Sequence, residues 1–188
     1  MSKYSLLFAI LFLGAAATPV YSADSKSAVG SGKSESAKAT NEKKYNKNNA
    51  LVKAASAGDT KKVLELIKNG ANVNAKDDNG MNALIWAAAT GNKYLAGFLI
   101  KKGADINAKE NDGLTALMFG TQQGYEDITE LLISNGAKVN MQDKDCKTAL
   151  DYAKNEELIK YLKSEGAKKG SQIEGCKANT TKKQTVKH

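Results

Sequence analysis

The chain has 188 residues, 41% of them hydrophobic, which permits one ordinary folded domain with its own core. Its net charge of +8 comes from Lys alone, and the excess lies outside the middle, where residues 51–165 carry 15 Lys against 16 Asp and Glu. With no Arg fork and a near-neutral middle, the composition argues against specific nucleic-acid recognition; one His, at position 188, and two Cys exclude a His-based triad and a His/Cys zinc set.

In chain order, Lys3 precedes a 12-residue apolar run from Leu6 to Ala17, with small residues at Ser22 and Ala23. This is the outline of a secretory signal peptide over residues 1–22, and it predicts a periplasmic or secreted protein. The run is shorter than the roughly 18 residues a membrane span needs, so no transmembrane segment is expected after cleavage. Residues 23–47 are mostly Ser, Lys, Ala, Gly, Asn and Glu, and read as a disordered spacer unable to bury enough apolar area to offset its ordering entropy. Gly32-Lys33-Ser34 looks like the end of a phosphate-binding loop, but the required first glycine would fall at Ser27, so the match is fortuitous.

From Asn48 the chain repeats itself. GANVNAKDDNGMNAL (70–84), GADINAKENDGLTAL (103–117) and GAKVNMQDKDCKTAL (136–150) are spaced by 33 residues. Leu51, Leu84, Leu117 and Leu150 align, as do Gly58, Gly91 and Gly124 between successive apolar stretches. Asn82, Thr115 and Thr148 stand where a side-chain oxygen caps the helix that follows. Each unit therefore predicts two short helices and a Gly-rich turn, units that bury a core only by stacking. The last unit runs only 16 positions from Leu150 to Gly166 and has lost the inter-helix glycine. Residues 170–188 read as a basic tail.

This pattern resembles the ankyrin repeat family over residues 48–169. The family's Thr-Pro-Leu-His helix start is altered, its proline replaced by Ala83, Ala116 and Ala149 and its histidine by Ile85, Met118 and Asp151. The resemblance implies an all-α solenoid of about four helix-pair repeats with β-turn fingers. It also implies a monomeric module that binds another protein, with no catalytic residues, no cofactor and no metal. Carried over position by position, the binding face comprises Asp78, Asn79, Met81, Asn111, Asp112, Leu114, Lys144, Asp145 and Lys147 at the turn tips, with Gln122 and Gln123 at a first-helix end. Met81 and Leu114 are expected to be exposed there as an apolar centre with a polar rim. With the leader, this suggests an inhibitor or protector of an envelope enzyme; a secreted effector acting on a protein of another cell is the alternative.

Three features remain to be placed. The carboxylates Asp77/Asp78, Glu110/Asp112 and Asp143/Asp145 lie at the turn before each repeat, where Asp and Asn satisfy backbone donors, so a structural role is expected over acid–base catalysis. Trp86, Phe119 and Tyr152 form a column 33 residues apart, expected to pack between repeats. Cys146 takes the place of Gly80 and Gly113, a turn position suited to positive φ. In an oxidising compartment it is expected to bridge to Cys176, with free thiols or pairing between chains as the alternatives.

Overall fold

The structure, a computed structural model, describes residues 34–174. The expected signal peptide, residues 23–33 of the spacer, Cys176 and most of the basic tail lie outside them. Among the described residues there are eight α-helices and no extended strand: α1 Ser34–Ser56, α2 Thr60–Lys68, α3 Ala83–Ala89, α4 Lys93–Lys101, α5 Ala116–Gln123, α6 Glu126–Ser134, α7 Ala149–Tyr152 and α8 Glu156–Ser164. None of them is long and apolar enough to cross a membrane.

The helices pair α3/α4, α5/α6 and α7/α8, with α1 and α2 preceding them in the chain. First helices stack in the order α3, α5, α7, and α4 packs on α6. Leu84, Leu117 and Leu150, each under 5% exposed, are the pegs of that stack. Burying one such side chain contributes about 1.5–3 kcal/mol, so short helices that would not survive alone are held by their neighbours. Local signals set the ends. Asn82 accepts from the Ile85 N–H at 2.8 Å and Thr115 from the Met118 N–H at 3.3 Å. Gly70, Gly103, Gly136 and Gly166 take positive φ just beyond the second helices. Gly91 is required for space as well, because a Cβ there would lie 2.9 Å from the Tyr125 ring.

Between helix pairs the chain makes a β-turn finger, closed by a backbone bond from Asp77 N–H to Met81, from Glu110 N–H to Leu114 and from Asp143 N–H to Lys147. We call these the first, second and third fingers. Successive fingers join by backbone bonds, Asn111 N–H to the Asn79 carbonyl at 3.0 Å and Lys144 N–H to the Asp112 carbonyl at 2.9 Å. Such close approach is why glycine is needed at the tips. A Cβ on Gly80 would lie 2.5 Å from Asn111 Oδ1, and one on Gly113 would lie 3.1 Å from the Asp143 Cα.

The N-terminal end departs from the expected spacer. Helix begins at Ser34, so residues 34–47 are part of α1. One turn of the 33-residue period before the first finger, Lys44 stands in the register of Asp77 and Lys47 in that of Gly80. Without the carboxylate that gathers the turn's donors and the glycine that permits its φ, no finger forms there and the helix continues. Lys47 Nζ reaches the Asn69 carbonyl at 3.0 Å, and Asn48 Oδ1 accepts from the Asn72 N–H at 2.8 Å, tying α1 to the loop after α2.

The C-terminal end also departs from expectation. The residues from Gly170, read as tail, continue onto the array: Gly170 is buried and starts a 3₁₀ turn, Gly170–Gln172. Lys168 N–H donates to Asn140 Oδ1 at 2.7 Å, Gly170 N–H to Asp151 Oδ2 at 2.6 Å, and Gln142 Nε2 to the Gly170 carbonyl at 3.1 Å. A Cβ on residue 170 would fall 1.6 Å from the Cys146 carbonyl oxygen, so only glycine fits. Thr148 is correspondingly not a simple acceptor cap. Its hydroxyl lies 2.6 Å from the Lys168 carbonyl, while its own N–H donates to Asp151 Oδ2 at 2.9 Å. Asp151, standing at the family's histidine position, thus gathers the helix start and the returning chain on one oxygen.

Candidate protein-binding face

Each finger is organised by the carboxylate at its base. Asp77 Oδ1 accepts from the N–H groups of Asn79 and Met81 at 3.0 and 2.9 Å. Glu110 Oε1 does the same for Asp112 and Leu114 at 2.8 and 3.0 Å, and Asp143 Oδ1 for Asp145 and Lys147 at 2.9 Å each. The second oxygen of the two aspartates is held by the aromatic column: Trp86 Nε1 donates to Asp77 at 3.3 Å, and the Tyr152 hydroxyl donates to Asp143. Phe119, in the middle repeat, is 2% exposed. Burial, reinforced by the Asp143 carboxylate, pushes the Tyr152 phenol far above its ordinary value, so it remains a donor. The three base carboxylates are therefore structural acceptors, and the column braces the fingers.

The expected site residues divide accordingly. Asp78, Asn79, Lys144 and Asp145 are exposed at the tips, and Lys147 is exposed beside the Tyr152 ring. Asn111 is exposed but partly committed, its Nδ2 donating to the Asp78 carbonyl at 2.8 Å. Asp112 and Gln122 are half-buried and Gln123 is exposed. Met81 and Leu114 are corrections: at 5% and 4% exposure they belong to the core and offer a partner no apolar centre. They close the fingers, and their side chains turn inward between repeats. At the same register the terminal repeat has Lys147, in keeping with a position that is apolar only when another repeat covers it.

Cys146 takes φ +61°, the one positive value among the described non-glycine residues, as its alignment with Gly80 and Gly113 leads one to expect. The sequence reading missed an asparagine ladder. Asn74 Oδ1 accepts from the Asp105 N–H at 2.7 Å, Asn107 Oδ1 from the Lys138 N–H at 2.8 Å, and Asn140 continues it to Lys168. Lysine forms a second ladder, Lys76 Nζ to the Lys109 carbonyl and Lys109 Nζ to the Gln142 carbonyl, at 2.8 and 2.7 Å. The 33-residue spacing of Asn74, Asn107 and Asn140 was the available signal for the first.

A groove of about 270 Å³ opens where α1 meets the first finger, lined by Tyr45, Asn49, Val52, Lys53 and Ser56 from the helix and by Asp77 and Asp78 from the finger. No described group of His, Cys, Asp or Glu side chains is arranged to hold a metal ion.

The stacked helix pairs, the laddered fingers and their 33-residue period agree with a family model described as ankyrin repeats (3 copies), which matches residues 25–110 and 95–173. The chain belongs to the ankyrin repeat family. No curated protein matches it in sequence. Ankyrin arrays are protein-interaction modules.

Proposed function

We propose that this ankyrin array is an exported module, acting in the periplasm, that grips a single envelope enzyme through its finger row and so inhibits or protects it. The observation that carries the reading is the division of labour in the fingers. Asp77, Glu110 and Asp143 are consumed in holding the turns, whereas Asp78, Asn79, Lys144 and Asp145 stand exposed on a backbone already fixed by its ladder. A preorganised surface of this kind binds without a large ordering cost. The apolar run Leu6–Ala17 behind Lys3 supports export. Asn111, Asp112, Gln122, Gln123 and Lys147 complete the proposed contact set. The module works as a monomer, without catalytic groups or a cofactor.

A Cys146–Cys176 bridge belongs to the same proposal. The turn Gly170–Gln172 lies against Cys146, and Glu174, the last described residue, is two positions before Cys176. A bridge spanning 30 residues would remove about 3–4 kcal/mol of unfolded-state entropy. Non-reducing mass analysis of exported protein should find no alkylatable thiol.

Tagged protein used to capture partners from a periplasmic fraction and from culture medium tests the main reading. A stoichiometric enzyme from the periplasm, lost when Asp78→Lys and Lys144→Glu are combined, supports it. A partner found only in medium from co-cultured cells supports the secreted effector instead.

A further inference from the structure

The finger ladder has a position that the chain leaves open. In the second and third fingers, the N–H of Asn111 and of Lys144 donates to the preceding finger. The residue in the same register of the first finger is Asp78, and its N–H has no such acceptor among the described residues, where α1 runs in place of a preceding finger. The groove beside α1 is lined on its finger side by Asp77 and Asp78. Its walls differ from those of an ordinary inter-finger contact. Tyr45 is 64% exposed, one of two large hydrophobic side chains so exposed among the described residues. The Asp77 carboxylate is committed to its turn and to Trp86, while the Asp78 carboxylate is exposed and makes no hydrogen bond or ion pair with a described residue. Lys53 stands on the helix side of the same groove.

We propose that this slot receives an extended segment of the partner protein, which takes the place of the absent finger. Its main-chain carbonyls accept from the Asp78 N–H and the Lys53 ammonium, and a Lys or Arg from the segment pairs with the Asp78 carboxylate while its aliphatic stem lies along the Tyr45 ring. The complementarity is specific: an extended backbone supplies acceptors in series, and a cation answers the one uncommitted carboxylate on the finger wall. Three of these groups, Tyr45, Lys53 and the Asp78 N–H, lie outside the tip contacts assigned above. The inference rests on the protein-binding reading and names the feature of the partner that the N-terminal end recognises.

The test uses the whole mature chain and a displayed library of random heptapeptides. Selected peptides should be enriched in Lys or Arg, and Tyr45→Ala or Asp78→Lys should weaken them about ten-fold or more, while Lys144→Glu at the far finger changes little. Adding a selected peptide should slow hydrogen exchange at the Asp78 amide; helical circular dichroism of each variant checks that the array is intact. Peptides that respond to Lys144→Glu but not to Tyr45→Ala overturn the slot and leave the finger-row reading standing. Peptides indifferent to all three substitutions overturn both. A dimer that Tyr45→Ala dissociates would place a second copy there, and faster Asp78 exchange on deleting residues 24–33 would place the chain's own segment there; either result overturns the proposal.

Discussion

The third finger, at the C-terminal end of the array, is covered, whereas the first, at the N-terminal end, is not. At the C-terminal end the chain turns back so that Lys168 continues the asparagine ladder and Gly170 sits on Cys146. The returning chain thus covers the base of the third finger at Gln142 and Cys146 without a further repeat. At the N-terminal end a helix of 23 residues runs where a finger would be, satisfying the loop through Lys47 and Asn48 but giving the Asp78 amide no acceptor among the described residues. Terminal repeats of a solenoid must meet water on one side, and these two show that backbone satisfaction, as much as apolar cover, decides whether an end is closed.

The largest expected effect comes from removing the closed end's base carboxylate. Asp143→Ala leaves two finger N–H groups and the Tyr152 hydroxyl without their acceptor and should cost about 3 kcal/mol in urea denaturation. Asp77→Ala removes the equivalent set at the more exposed open end and should cost about half as much. Equal costs would mean that covering a finger adds nothing to it.

Gly170→Ala comes next. The added Cβ meets backbone rather than a flexible side chain, so the returning segment must lift off, at about 2 kcal/mol, with faster exchange at the Gly170 and Lys168 amides. Ser171→Ala, on an exposed neighbour, should be silent. A silent Gly170→Ala would show that the returning segment is not the cover it is described to be.

A smaller effect is pH-dependent. The Tyr152 phenol is raised in the folded protein, so between its ordinary value near 10 and its folded value the unfolded chain releases a proton that the folded chain keeps. Stability should therefore fall as pH rises above about 10, less steeply in Tyr152→Phe, as unfolding followed across that range would reveal. The smallest effect should come from removing residues 34–43, the part of α1 that precedes its ties to the loop; the denaturation midpoint should scarcely move.

The same contrast explains what the sequence made legible. The interior is periodic: glycines at fixed spacing, alanine and leucine on the first helices, and Asn82 and Thr115 as caps each follow from a local requirement repeated every 33 residues. The ends break the period, and there composition misled. Residues 34–47 hold too little apolar area to suggest order, yet helix continues through them because Lys44 and Lys47 remove the two residues a finger needs. Met81 and Leu114 looked exposed because turn tips usually are; the Lys147 at their register, on the last finger, which no further finger follows, was the sign that they face a neighbour. The tip residues Asp78, Asn79, Lys144 and Asp145 were readable from family position alone, whereas the groove depends on where α1 lies after its finger is lost, which no spacing encodes.

Hydrogen exchange at three amides in register, Asp78, Asn111 and Lys144, tests the account most directly. An array closed at one end and open at the other predicts that Asn111 and Lys144 are protected to a similar degree, while Asp78 exchanges at close to the rate of an unstructured amide in the isolated protein. Protection of Asp78 equal to that of Asn111 would mean that the first finger already has its acceptor, and would contradict the open slot at the N-terminal end.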